Sequence, residues 1–323
     1  MRGDWPALLV FGVAALAPLI TRDGFLLDSL VLILLWGAVS AAWNVAGGYA
    51  GQTSLGHSAF FGIGAYSAAL LATRWGQSPW LGLLAGAIVA TAAGLVIGYL
   101  SNRLKGPYFG LATIAFSQVL LIVASRWRAF TAGSEGIPVP FRPGFWTLGF
   151  SSKATWVYLV LVLAVVVYLV ERYLETSRVG YQLAGVREDE DAAEALGIPC
   201  RRLKIAAIAV SAALTSACGG LWAQYVGFVD PFYVFSVDLS VRFALNSIIG
   251  GIGTAIGPFV GSLLITSLEI YLRATFSDVK ASLVGIYLII YGCLLIAVVR
   301  FVPQGLVGWL GERMRAAGRY ARA

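Results

Sequence analysis

The chain has 323 residues, 59% hydrophobic and only 12% charged, with a formal net charge of +7 and a mean hydropathy of +0.81. A soluble domain carries about a quarter charged residues, so this composition excludes an ordinary soluble protein. Apolar runs recur along the whole sequence, which also excludes a single anchor on a soluble domain.

A bilayer-crossing helix needs about 20 mostly apolar residues. In chain order the runs predict helices near 6–20, 29–46, 57–73, 80–101, 107–125, 154–170, 204–226, 241–253, 256–272 and 282–299. The expected fold is therefore all-α: a polytopic integral membrane protein with about 8–10 transmembrane segments, forming one transmembrane domain over 1–323. The first run follows Met1-Arg2-Gly3-Asp4 and shows no clear small-residue cleavage site, so it reads as a retained helix. Asp28 stands at the expected start of the second helix, where it would complement the helix dipole.

Between the second and third runs, residues 47–66 read GGYAGQTSLGHSAFFGIGAY. Glycines and Gln52, Thr53, Ser54, His57 and Ser58 interrupt an otherwise apolar stretch. Irregular polar backbone at membrane depth is tolerated only where protein covers it or water lines it. Broken helices of this kind mark binding sites in transporters. The candidate translocation residues are Gln52, Ser54 and His57. Gln52, Thr53 and Ser54 either line a path or satisfy backbone freed by the break. His57 is the single histidine, so it cannot form a metal site by itself. It reads either as a packed, hydrogen-bonded residue or as part of a gate.

Small residues recur at four-residue spacing in Gly82-x3-Gly86, Gly94-x3-Gly98 and Gly253-x3-Gly257-x3-Gly261. This spacing lets helices approach closely in lipid and offers faces for a second subunit. Residues 126–153 hold Gly133, Gly136, Pro138, Pro140, Pro143 and Gly144, and predict an ordered, turn-rich periplasmic loop with a short hairpin. Residues 171–204 hold seven of the sixteen acidic residues and six basic ones, and predict a cytoplasmic segment. Within it, residues 188–196 predict a short helix stopped by Gly197 and Pro199, with Ala192, Ala193 and Leu196 forming a small apolar side.

Lys and Arg near the helix ends set orientation. With the N-terminus inside, the inner segments hold 14 of the 23 basic residues, including a basic tail over 300–323. The expected topology is N-in and C-in, with the positive charge facing an anionic leaflet. Two i,i+4 pairs near helix ends, Asp238–Arg242 and Glu269–Arg273, read as structural ion pairs. Cys200, Cys218 and Cys293 are far apart and make no metal spacing. No nucleophile motif, acid pair or phosphate loop is visible, so the chain is not expected to be an enzyme.

Asp191-Ala192-Ala193-Glu194-Ala195-Leu196-Gly197 resembles the coupling motif of bacterial ABC-importer permeases, with Asp191 where Glu is usual. More specifically, the chain resembles the branched-chain amino acid ABC permease family, in its M-type subunit. The matching stretches are Gly48 to His57, Arg103 to Phe109, Thr131 to Ile137, Gly180 to Gly197 and Gly250 to Pro258, in family order. Ala132 stands where Gly is commoner. The resemblance implies an inner-membrane pore made with a second related permease, two cytoplasmic ATPases that bind ATP and magnesium, and a periplasmic binding protein. It implies no cofactor on this chain. It assigns ATPase coupling to Glu188, Asp189, Asp191, Ala192, Ala193 and Gly197. Branched-chain amino acids are the implied solute. Urea, amides and aromatic carboxylates are alternatives within the class, and an ion-coupled secondary transporter is the alternative of another class.

Overall fold

The computed structural model describes residues 5–100, 104, 106–276, 292 and 305–308. The first helices are α1 (Trp5–Ile20), α2 (Gly24–Asn44), α3 (Ser58–Arg74), α4 (Pro79–Leu100), α5 (Pro107–Arg126) and the single turn α6 (Arg128–Thr131). They are followed by α7 (Lys153–Thr176), α8 (Arg178–Glu188), α9 (Glu190–Ala195), α10 (Cys200–Val226), α11 (Pro231–Val234), α12 (Val237–Gly251) and α13 (Gly257–Phe276). Every helix expected up to residue 272 is present. The helix expected at 282–299, Cys293 and most of the tail at 300–323 lie outside the described residues.

Five of these helices are long and apolar enough to cross a bilayer: α2 with its extension to Tyr49, α4, α5, α7 and α10. Leu84, Ile88, Leu111, Ile122, Val162 and Leu169 on α4, α5 and α7 are exposed, as expected of faces turned to lipid.

Helix α10 is the centre of the bundle and packs against α2, α3 and α4. Small residues allow this. A Cβ on Gly64 of α3 would lie 1.9 Å from the Ser216 carbonyl of α10, and one on Gly219 would lie 2.1 Å from the Phe61 carbonyl. Helix α4 joins the same seam: a Cβ on Gly82 would meet Ala68 Cα at 2.6 Å, and one on Gly94 would meet Ala212 Cβ at 3.0 Å. Likewise Gly250 and Gly261 bring α12 onto α13. The faces expected to receive a second subunit are thus consumed within the chain. Such seams work because close approach gains dispersion contacts that lipid cannot supply. Trp36, Phe61, Phe243 and Trp222 fill the space between α2, α3, α12 and α10, with ring centroids 5.6–6.1 Å apart.

Four expectations change. Helix α2 begins earlier than residue 29, because Asp23 caps it by accepting from Phe25 N. Asp28 is therefore inside the helix, where it pairs with Lys153 and accepts from Tyr225 Oη at 2.5 Å. The i,i+4 ion pairs are replaced by one across helices: Arg242 Nη2 meets Glu269 Oε2 at 2.6 Å, with its guanidinium 4.8 Å from the Trp36 ring. In the 126–153 loop the strand β1 (Ile137–Pro138) pairs antiparallel with β2 (Phe228–Val229), so the link is long-range and not a local hairpin; only the bridge Gly144–Gly149 is local. Finally, α7 continues through Glu171 to Thr176, and α10 starts at Cys200. The segment between them is shorter than the 171–204 expected.

Candidate functional site: an interrupted helix joined to a charged segment

Helix α2 does not end cleanly. Val45–Tyr49 forms a π turn, and the chain is then non-helical until α3. π turns concentrate at functional sites. Glycines make this one possible. A Cβ on Gly47 would lie 2.4 Å from the Trp43 ring, and one on Gly48 would lie 1.8 Å from Asn44 Oδ1. Gly51 follows in the left-handed region, at φ +68°.

The backbone freed by the break is satisfied by protein. Gln52 N donates to Ala46 O at 2.9 Å and Ser54 N to Gln52 O at 2.7 Å. Trp43 Nε1 donates to Ser54 O at 2.7 Å, and Leu55 N donates to Thr113 Oγ1 at 3.1 Å. Gln52, Ser54 and His57 are all buried, whereas Thr53 between them is exposed. The structure brings these residues together in one loop. Ser54 and His57 border a crevice with Phe60, Thr113, Phe116 and Ile208 that is too narrow for water.

His57 has a defined tautomer. Ser211 Oγ donates its one proton to Ala42 O at 2.6 Å, so it must accept from His57 Nε2 at 2.7 Å. Nε2 therefore carries the proton, and Nδ1 is a buried acceptor with no partner among the described residues. The Gln52 Oε1 is also buried without one. Next to His57 stands a serine chain. Ser240 Oγ donates to Ser58 Oγ at 3.0 Å, Ser58 Oγ to Ser117 Oγ at 2.9 Å, and Ser117 Oγ to Phe235 O at 2.9 Å. It ties the start of α3 to α5 and α12.

A second polar cluster holds the other side of the break. Asn44 Nδ2 donates to Glu171 Oε1 at 2.6 Å and to Thr254 O at 3.3 Å, while Asn44 Oδ1 accepts from Gly253 N at 2.9 Å. Glu171 is fully buried, and its Oε2 has no partner among the described residues. From the opposite side, Arg187 Nη1 donates to Gly48 O at 2.8 Å. Asn44 thus holds the end of α2 to the glycine-rich α12–α13 turn, and Arg187 holds the π turn to α8.

Arg187 belongs to the charged segment between α7 and α10. Ser177 caps α8 by accepting from Gly180 N, and Asp189 caps α9 by accepting from Asp191 N and Ala192 N, each at 3.0 Å. Lys204 holds Glu190 at 2.9 Å, and Gly197 ends α9 at φ +81°. Glu188, Asp191, Ala192 and Gly197 are exposed. Ala193 is not: it is buried beside Val186 and Cys200. The apolar side expected from Ala192, Ala193 and Leu196 is therefore divided, with Leu196 82% exposed and Ala193 turned into the chain.

Sequence reasoning did not single out Asn44, Glu171, Arg187, Ser117, Ser211 or Ser240. Lone polar residues inside apolar runs were the available signal for Asn44, Ser117 and Ser211; Glu171 and Ser240 stand at the edges of such runs, and Arg187 stands outside them. No group of His, Cys, Asp or Glu among the described residues is arranged to hold a metal.

Residues 25–299 match the family described as the permease component of the branched-chain amino acid transport system. The chain is 29% identical to the high-affinity branched-chain amino acid transport system permease protein LivM of Escherichia coli (strain K12), over 93% of this chain and 73% of that protein. It is 24% identical to the probable branched-chain amino acid transport permease protein LivM of Methanocaldococcus jannaschii, over 87% and 94%. It is also 24% identical to the permease protein LivH of Escherichia coli (strain K12), over 84% and 91%. No solved structure matches the chain significantly. The match covers the interrupted helix and the charged segment between α7 and α10, and the chain belongs to the branched-chain amino acid transport permease family.

Proposed function

We propose that this chain is one of two pore-forming subunits of an ATP-driven importer in the bacterial inner membrane. It carries branched-chain amino acids delivered by a periplasmic binding protein, and both its termini are cytoplasmic. A second, H-type permease completes the pore; the similarity to relatives named both LivM and LivH supports such a pair. ATP and magnesium bind two partner ATPases, which dock on α9. The observation that carries the reading is the π turn and the 50–57 loop, where irregular backbone lies inside the bundle among Gln52, Ser54 and His57. Irregular backbone survives at that depth only against protein or a watery path.

The buried Glu171 is the feature an ion-coupled carrier would need. One experiment separates the two. The chain is reconstituted in vesicles with an H-type permease, the ATPases and a binding protein. Leucine uptake that requires ATP and persists after the ion gradients are collapsed supports the importer. Uptake that follows an imposed proton or sodium gradient without ATP refutes it. Uptake of urea or benzoate in place of leucine refutes the solute assignment alone.

A further inference from the structure

We propose that Arg187 is the positioning residue through which movement of α9 reaches the helix break and the α12–α13 turn. The proposal rests on the reading that α9 is where an ATPase subunit docks.

Arg187 lies in the last turn of α8, two residues before the Asp189 cap of α9. Its side chain leaves the coupling segment and reaches Gly48 O in the π turn at 2.8 Å. The backbone is shaped around it on two sides. A Cβ on Gly51 would lie 2.8 Å from Arg187 Cγ, and one on Gly253 would lie 2.7 Å from Arg187 Nη1. Gly51 and Gly253 both sit in the left-handed region, at φ +68° and +71°. Two separate segments thus leave room for one arginine.

Position adds a reason for charge. Gly48 O is at the carbonyl end of an interrupted helix, where carbonyls lack helical donors and a cation is favoured. The rigid guanidinium fork can hold Gly48 O with one nitrogen while Nη2 pairs with Glu188 Oε1 at 3.0 Å. On the far side, Asn44 holds Gly253 N. The break and the turn therefore form one unit, gripped by Asn44 from the bundle and by Arg187 from α8. A shift of α9 that carries the end of α8 with it must either drag Gly48 along, and press on the adjoining Gly253, or break the Arg187 bond. Coupling of this kind requires an element with two arrangements that both sites bias, and the π turn is the element in contact.

The test uses the full transporter in vesicles, with Arg187→Met, which keeps the stem and loses the charge, and Arg187→Lys, which restores a donor. Three quantities are read: assembled complex, ATP hydrolysed, and solute moved per ATP. The proposal expects Arg187→Met to assemble and hydrolyse ATP but to move about tenfold less solute per ATP, the scale of a lost hydrogen bond to a charged group. Arg187→Lys should recover much of that ratio. Where the methionine variant does not assemble, Arg187→Gln is read in its place, with the same fall expected. An unchanged ratio, with uptake falling only in step with assembled complex, overturns the proposal. A Leu196→Cys cross-link to the ATPase in otherwise native complex checks the underlying reading separately. If that cross-link is absent, the docking assignment fails whatever Arg187 does.

Discussion

Replacing Asn44 with leucine should destabilise the protein by about 2–4 kcal/mol, and replacing Glu171 with leucine in the same chain should restore the larger part of that loss. Asn44 makes three hydrogen bonds, to Glu171, Thr254 and Gly253. Neutral interhelical bonds in membranes average about 0.6 kcal/mol, so the two backbone contacts together account for about 1 kcal/mol. The third partner dominates. Glu171 is fully buried, and its other oxygen already lacks a donor. Removing the donor from a buried polar group costs about 1–3 kcal/mol, because the group is left desolvated and unpaired. In the Asn44→Leu/Glu171→Leu protein no buried carboxyl is left unpaired, and only the loss of about 1 kcal/mol from the backbone contacts remains. Graded unfolding in mixed detergent, on the two single variants and the double, measures the non-additivity directly. A double variant as unstable as Asn44→Leu would refute the account of this cluster.

Leu196→Glu should leave folding within about 0.5 kcal/mol of the native protein while weakening co-purification with the ATPases by about 30-fold, the size of a hot-spot loss. Ala193→Arg should do the reverse and lower the yield of folded chain, because Ala193 is buried; equal yields would show that α9 presents the other face. Ala132 sits in the left-handed region at φ +62°, a conformation that costs an alanine about 1 kcal/mol. Ala132→Gly should therefore raise the melting temperature in detergent, and a fall would contradict the loop geometry.

The helices were legible in the sequence because a bilayer demands long apolar runs. Their ends were less so. The charge at Asp28 looked like a helix start, but the cap is Asp23. Glu171 looked like the edge of a span, yet its carboxyl is buried against a donor 127 residues away, and no periodicity reveals that. The break at 47–58 was visible from its glycines and polar residues. Its partners Thr113, Ser211 and Arg187 were not, since each arrives from a distant helix. Glycine spacing announced close approach of α4 and α13 without naming the neighbour. The α9 face was obscured by composition: with Ala192, Ala193 and Ala195 around a helix of 6 residues, no stripe stands out.

Solvent access at the break, read as a function of nucleotide state, tests most directly whether this segment lies on the translocation path. Single cysteines at positions 51–57 are introduced into a chain whose native cysteines have been replaced, and the assembled transporter is treated with a small water-soluble thiol reagent with and without trapped ATP. Thr53→Cys should react in the conformation described here, where residue 53 is exposed. Gln52→Cys and His57→Cys should be protected in that conformation and become reactive in the other nucleotide state. If both stay unreactive in every state, the break is a structural joint and the path runs elsewhere.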